Sequence, residues 1–288
     1  MRFSVFHIIV LSSSVALAAC HSSKKSGKAA AQLPGNWQAQ PVVIDGDNKE
    51  WPSPYPNYDS KGKIAYATSN DRKYVYITME TGDELTQVKI LRAGMTVSID
   101  TSGKKEPQFS INYPLANDNE MLELPQPSRG EKGAHMEKQL THQIKKLMEQ
   151  ANQFTLEGFS NCSGGFAVSQ NTPCGIRVRA SIDEYSELVW EAAIPVKALF
   201  NKDSLTLAEA GKPISVCMAI KGLKQPKSSG GSEPNNNIGT GGTGMTGMGR
   251  GGRGGQGASG RGGAVENPMD HLYTNTKTWK QFGMAVQP

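Results

Sequence analysis

The sequence predicts a mainly all-β protein: an antiparallel β-sandwich with one inserted amphipathic helix and a disordered, glycine-rich loop. Three observations predict it. Short segments alternate apolar and polar residues with period two, and turn residues separate them. Between Glu131 and Asn152 the period switches to that of a helix. From Ser228 to Gly263 a tract holds half of the chain's 32 glycines and has no apolar face to bury.

The chain opens with Arg2 and an apolar run from Val5 to Ala19, too short to span a bilayer. Small residues then precede Cys20. This is the pattern of a secretory signal over residues 1–19. Leu17-Ala18-Ala19-Cys20 resembles the lipobox of bacterial lipoproteins. That resemblance implies cleavage before Cys20 and acyl chains, palmitate among them, on its thiol. Each buried CH₂ contributes roughly 0.8 kcal/mol, so several chains anchor a protein without a transmembrane helix. In such lipoproteins an Asp after the Cys favours the inner membrane; His21 stands there, which points to the outer membrane. Residues 22–28 are basic and polar rather than acidic, which favours the periplasmic face over the cell surface. Residues 20–40, rich in Lys, Ser, Ala and Gln, read as a flexible tether.

The domain runs over residues 41–227 and is completed by residues 264–288. Ile64–Thr68 and Tyr74–Met79 alternate, and Asn70-Asp71-Arg72 between them supplies a turn, so the pair reads as a hairpin. Met95, Val97 and Ile99 share one face, as do Phe109, Ile111 and Tyr113. Ile176–Ile182, Leu188–Ile194 and Ile214–Ile220 repeat the pattern, and Pro195 stops the second of these. Each such strand needs an opposing sheet for its apolar face, hence a sandwich.

The helix, placed near residues 131–152, aligns Met136, Leu140, Ile144, Leu147, Met148 and Ala151 on one stripe and docks by it. The tract 228–263 ends in Gly-Gly-Arg repeats. It lacks the interleaved aromatics of nucleic-acid tracts, and export argues against that partner. Thr278–Val286 then forms a last strand. The net charge of +5 is too small to name a partner.

Val43-Ile44-Asp45-Gly46-Asp47 with Glu50-Trp51, the hairpin from Ala65 to Ile77, Val97-Ser98-Ile99-Asp100, and Val189-Trp190-Glu191-Ala192-Ala193-Ile194-Pro195 with Leu199 stand in this order. Together they resemble family 9 carbohydrate-binding modules and related DOMON-like sandwiches. The resemblance implies a sandwich that stacks sugars on aromatic rings at a sheet face or loop rim. The candidates for such rings are Tyr55, Tyr58, Tyr74 and Tyr76, with Trp37 beside them. Tyr55 and Tyr58 sit in a proline-rich loop suited to presenting rings. Trp51 is expected to plug one end of the sandwich, Trp190 to lie in the core, and Glu191 to face solvent. No paired tryptophan clamp is found. Some relatives bind calcium, for which Asp45, Asp47 and Asn48 offer hard oxygens, although a metal-free turn uses the same residues. Others hold haem, for which His135 and His142 are the candidates on the helix.

Cys162 and Cys174 flank an eleven-residue stretch and, in an exported protein, read as a disulfide. Cys217 is left as a buried free thiol. Asp183, Glu184 and Glu187 surround a strand turn rather than facing each other across a cleft. No nucleophilic triad or phosphate loop is legible. The chain therefore reads as a non-catalytic, lipid-anchored envelope protein that binds a glycan. The alternatives are an envelope assembly protein that binds another protein, and a haem-bearing redox carrier.

Overall fold

The structure, a computed structural model, describes residues 35–116, 133–225 and 270–287. The signal 1–19, Cys20, the tether as far as 34 and the tract 228–263 lie outside the described residues. In chain order the strands are β1 (Asn57–Asp59), β2 (Ile64–Asn70), β3 (Tyr74–Thr81), β4 (Met95–Asp100), β5 (Phe109–Asn112), β6 (Gln153–Glu157), β7 (Gly164–Ala167), β8 (Arg177–Ile182), β9 (Leu188–Pro195), β10 (Pro213–Ile220) and β11 (Thr276–Gly283). Helices α1 (Glu84–Ala93), α2 (Gly133–Gln150), α3 (Val196–Phe200) and α4 (Asp270–Tyr273) are interspersed. None of the helices described is long and apolar enough to cross a membrane.

The strands form two antiparallel sheets, of order β1-β2-β3-β9-β8 and β11-β10-β4-β5-β6-β7. Alternation dictates what lies between them. Val75, Ile77 and Met79 of β3 and Trp190, Ala192 and Ile194 of β9 share one core with Val97 and Ile99 of β4 and Val216 and Met218 of β10. Trp190 is fully buried, and its Nε1 donates to the carbonyl of Tyr113 at 3.0 Å, which ties the two sheets together. The β2–β3 hairpin turns where Asp71 Oδ1 accepts from the backbone N–H groups of Lys73 and Tyr74, both at 2.6 Å. The last strand, β11, pairs with β10 along its whole length and forms one edge of the six-stranded sheet.

Helix α2 buries Leu140, Ile144 and Leu147 and exposes Lys145, Lys146 and Glu149. It packs on α1 and on β8. Helix α1 lies outside the sequence reading. Asp83 caps it by accepting from Thr86 N at 2.9 Å, and Gly94 ends it at φ 82°. A side chain at Gly94 would meet Ala116 N at 2.9 Å and Pro114 O at 3.0 Å.

Three expectations need correction. The tether ends before Asn36, because the edges of Asn70 are open to pairing. Gln38 N donates to Asn70 O at 2.8 Å and Asn70 N to Asn36 O at 3.0 Å. Trp51 does not plug an end of the sandwich. It lies over the outer face of the five-stranded sheet, in a second cluster with Val42, Ala67, Tyr76 and Ala193. Glu191 is not solvated but 0% exposed beneath it.

Candidate functional site

The outer face of the five-stranded sheet is partly covered by a strap, residues 41–56. Gly46 fixes its path. The residue sits at φ 86°, and a Cβ there would meet Ser181 Oγ at 2.8 Å, so only glycine fits. Ser181 Oγ donates to Gly46 O at 2.6 Å, and Gly46 N donates to Glu191 Oε2 at 3.0 Å. Trp51 Nε1 donates to the other oxygen, Oε1, at 2.6 Å. Burial pushes the Glu191 carboxyl up to about 7, against the opposing pull of those two donors. Asn48 Nδ2 reaches Glu80 Oε2 at 3.0 Å and ends the covered area.

Beyond the strap the face is open. Register places Tyr58 of β1 opposite Ala65 of β2, and Ala65 opposite Glu80 of β3. These three form one cross-strand row on the same face. The small Ala65 makes a floor, with the Tyr58 ring on one side and the Glu80 carboxylate on the other. Two strand spacings separate the walls at Cα, about 10 Å. The groove so formed has a volume of about 540 Å³ and is also lined by Lys63, Asp83 and Glu187. That volume falls within the roughly 300–1,000 Å³ of small-ligand sites. Tyr58 is 66% exposed, an unusual state for a ring that strand pairing holds in place.

The polar wall is charged. Lys63 Nζ pairs with Asp83 Oδ2 at 2.8 Å. Burial alone would raise the Asp83 carboxyl, but Lys63 and the Thr86 donors outweigh it and hold the group below the usual carboxylate range. Glu187 moves the other way, raised by burial and then by the like charges of Glu80 and Asp183. Sequence reasoning singled out neither Glu80 nor Lys63 and read Glu187 as part of a turn. The signal available was register: with β2 and β3 paired through a short turn, Glu80 falls beside Ala65.

The other candidate rings fare differently. Tyr76 is fully buried under the strap and donates to Asp71 Oδ2 at 2.8 Å, so it is corrected from ligand contact to packing. Tyr74 is half-buried, stacks on Tyr76 with centroids 5.9 Å apart and carries Arg177 over its face at 5.7 Å. Tyr55 is half-buried, with its hydroxyl 3.1 Å from Thr78 Oγ1. Trp37 is half-buried where its bridge meets Asn70. The structure thus leaves Tyr58 as the open ring of the set.

Of the calcium trio, Asp47 pairs with Lys49 at 2.5 Å, Asp45 Oδ1 accepts from Asp47 N at 2.9 Å, and Asn48 is committed to Glu80. Among the described residues no three His, Cys, Asp or Glu side chains gather as a metal site would require. His142 is exposed on α2, and the His135 side chain lies outside the described residues. Cys162 and Cys174 form a disulfide with Cα atoms 5.7 Å apart, and Cys217 is free and buried. A larger recess of about 880 Å³ opens between α2 and β8, but its aromatic residue, Tyr113, is buried and donates to Ala151 O at 3.0 Å.

No family model and no curated protein matches the sequence. Among solved structures, the chain is similar to a carbohydrate-binding module of family 9 from Caldicellulosiruptor kristjanssonii in complex with cellotriose. The identity is 8% and the TM-score 0.28, over 65% of this chain and 75% of that one.

Proposed function

We propose that this chain is a non-catalytic binding protein of the bacterial envelope, anchored through acyl chains on Cys20, that takes a saccharide in the Tyr58 groove. The observation that carries the ligand reading is the exposed Tyr58 ring, fixed by strand pairing and set across a small floor from a carboxylate. A pyranose has an apolar face that stacks on such a ring, and hydroxyls that donate to carboxylates or accept from an ammonium. Tyr58 supplies the platform; Glu80, Glu187 and Lys63 supply the hydroxyl readers. The anchor reading rests on Leu17-Ala18-Ala19-Cys20 at the end of a signal pattern; His21 favours the outer membrane, and the basic, polar residues 22–28 favour its periplasmic face.

The ligand reading is tested by affinity electrophoresis of the protein in gels containing soluble polysaccharides, beside Tyr58→Ala. Retardation that Tyr58→Ala abolishes, at unchanged melting temperature, supports it. Absence of retardation in every polysaccharide, with a stoichiometric envelope protein co-purifying, replaces it with the assembly reading. The anchor is tested separately with Cys20→Ser, which is expected to release the chain from the membrane fraction and to remove incorporation of labelled palmitate.

A further inference from the structure

Resting on that reading of the Tyr58 groove, we infer that the site selects saccharides bearing a free amine, and that Glu187 receives the ammonium. The ring and the recess make the site; the charges on its wall decide which sugar enters. Three acids, Glu80, Asp83 and Glu187, line it against one cation, Lys63. Lys63 is committed to Asp83 at 2.8 Å, and Asp83 also caps α1. Two carboxylates therefore remain to meet a ligand. One oxygen of Glu80 accepts from Asn48 at 3.0 Å. Among the described residues no hydrogen bond or ion pair reaches the Glu187 carboxylate, although it is half-buried and repelled by Glu80 and Asp183.

Such a group carries a standing electrostatic cost that a positive charge relieves. A neutral hydroxyl relieves it only in part. A uronic acid or a sulfated sugar adds to it, so the groove excludes acidic glycans. The exposed face of Tyr58 attracts the same ammonium through its ring quadrupole. Ring and carboxylates thus prefer one ligand class, a glucosamine-type sugar without its acetyl group.

The test compares the affinity of the whole chain for the trisaccharides of glucosamine, N-acetylglucosamine and glucose at neutral pH, in low and high salt. The glucosamine trisaccharide is expected to bind about fivefold to tenfold tighter than the other two, and salt is expected to shrink the gap. Glu187→Gln keeps the shape of the wall and a hydroxyl acceptor but removes the charge, and is expected to abolish the preference, bringing the amine ligand to the level of the glucose trisaccharide. Equal affinity for all three overturns amine selection while the saccharide site stands. A preference that survives in Glu187→Gln overturns the role given to that residue. Failure of all three ligands, with Tyr58→Ala behaving as wild type on polysaccharide, overturns the saccharide site itself and the selectivity with it.

Discussion

Trp51 Nε1 and Glu191 Oε1 lie 2.6 Å apart across 140 residues of sequence. The bond joins the strap to β9, between the central strand β3 and the edge strand β8 of the five-stranded sheet, for Glu191 sits opposite Thr78 of β3 and Arg179 of β8. A carboxylate on the outer face of a sheet would ordinarily be wet. Here the strap removes it from water, and the donors that come with the strap, Trp51 Nε1 and Gly46 N, replace that water. The open groove exists because the strap reaches this row only where Asn48 meets the Glu80 carboxylate, while Tyr55 stops over Thr78, one row short of Ala65 and Tyr58.

Glu191 makes stability depend on pH. Burial raises its carboxyl from 4.5 to about 7 in the folded chain. Between those values the folded state holds a proton that the unfolded state has released. Stability therefore falls as pH rises through this window, by at most about 3 kcal/mol. Thermal unfolding of wild type and Glu191→Gln from mildly acidic to slightly alkaline pH isolates the effect. The wild type is expected to lose melting temperature relative to the variant across the window, and parallel curves would refute the assignment.

The Trp51–Glu191 pair predicts strong coupling. Trp51→Ala empties a site that is only 6% exposed and leaves Glu191 without one donor, at a cost of about 3–5 kcal/mol. Trp51→Phe keeps most of the packing and loses the bond, at about 1–3 kcal/mol. In a double-mutant cycle with Glu191→Leu, which leaves the Trp51 indole no acceptor, the two losses are expected to fall short of additivity by about 1–3 kcal/mol. Denaturant midpoints measure it, and additive losses would show that the bond contributes nothing.

The strands were legible because Val75, Ile77, Met79 and their counterparts alternate, and alternation reports a face that meets a core. The same signal misleads where both faces are buried. Glu191 lies between Trp190 and Ala192, so period two places it on the far face, but nothing local says that residues 41–56 return to cover that face. Helix α1 was hidden for a related reason. Thr86, Gln87, Lys89 and Arg92 are buried polar residues, so its apolar periodicity is weak. Its legible marks were the caps, Asp83 and Gly94. The candidate rings were chosen by type and loop context, which found Tyr58; exposure depends on the strap, which is why Tyr76 was misplaced.

The bridge between Cys162 and Cys174 closes a loop of separation 12. Cys162 and Ile176 belong to the core beside Phe159, so the loop is pinned at both ends. Cys162→Ser with Cys174→Ser is expected to destabilise by about 3 kcal/mol through the freedom returned to the unfolded chain. The comparison of denaturant midpoints for this variant and the wild type checks it. Cys217, fully covered and with its thiol pushed up to about 11 by burial, is expected to resist thiol reagents until the chain is unfolded.

Alanine substitutions at the four tyrosines separate binding from packing. Tyr76 is fully buried and its hydroxyl is bonded to Asp71, so Tyr76→Ala is expected to cost about 3–5 kcal/mol. Tyr55 and Tyr74 are half-buried at the edges of the strap, where the loss should be smaller but still visible as a lowered melting temperature. Tyr58 contacts little when the groove is empty, so Tyr58→Ala is expected to change stability by less than about 0.5 kcal/mol. Its effect belongs to affinity, where the loss of a stacking platform costs about tenfold or more. Measured together, melting temperature and polysaccharide retardation should move in opposite members of the set. A large drop in stability from Tyr58→Ala, or saccharide binding lost only in Tyr74→Ala, would move the site to the other side of the strap, where Arg177 lies over Tyr74.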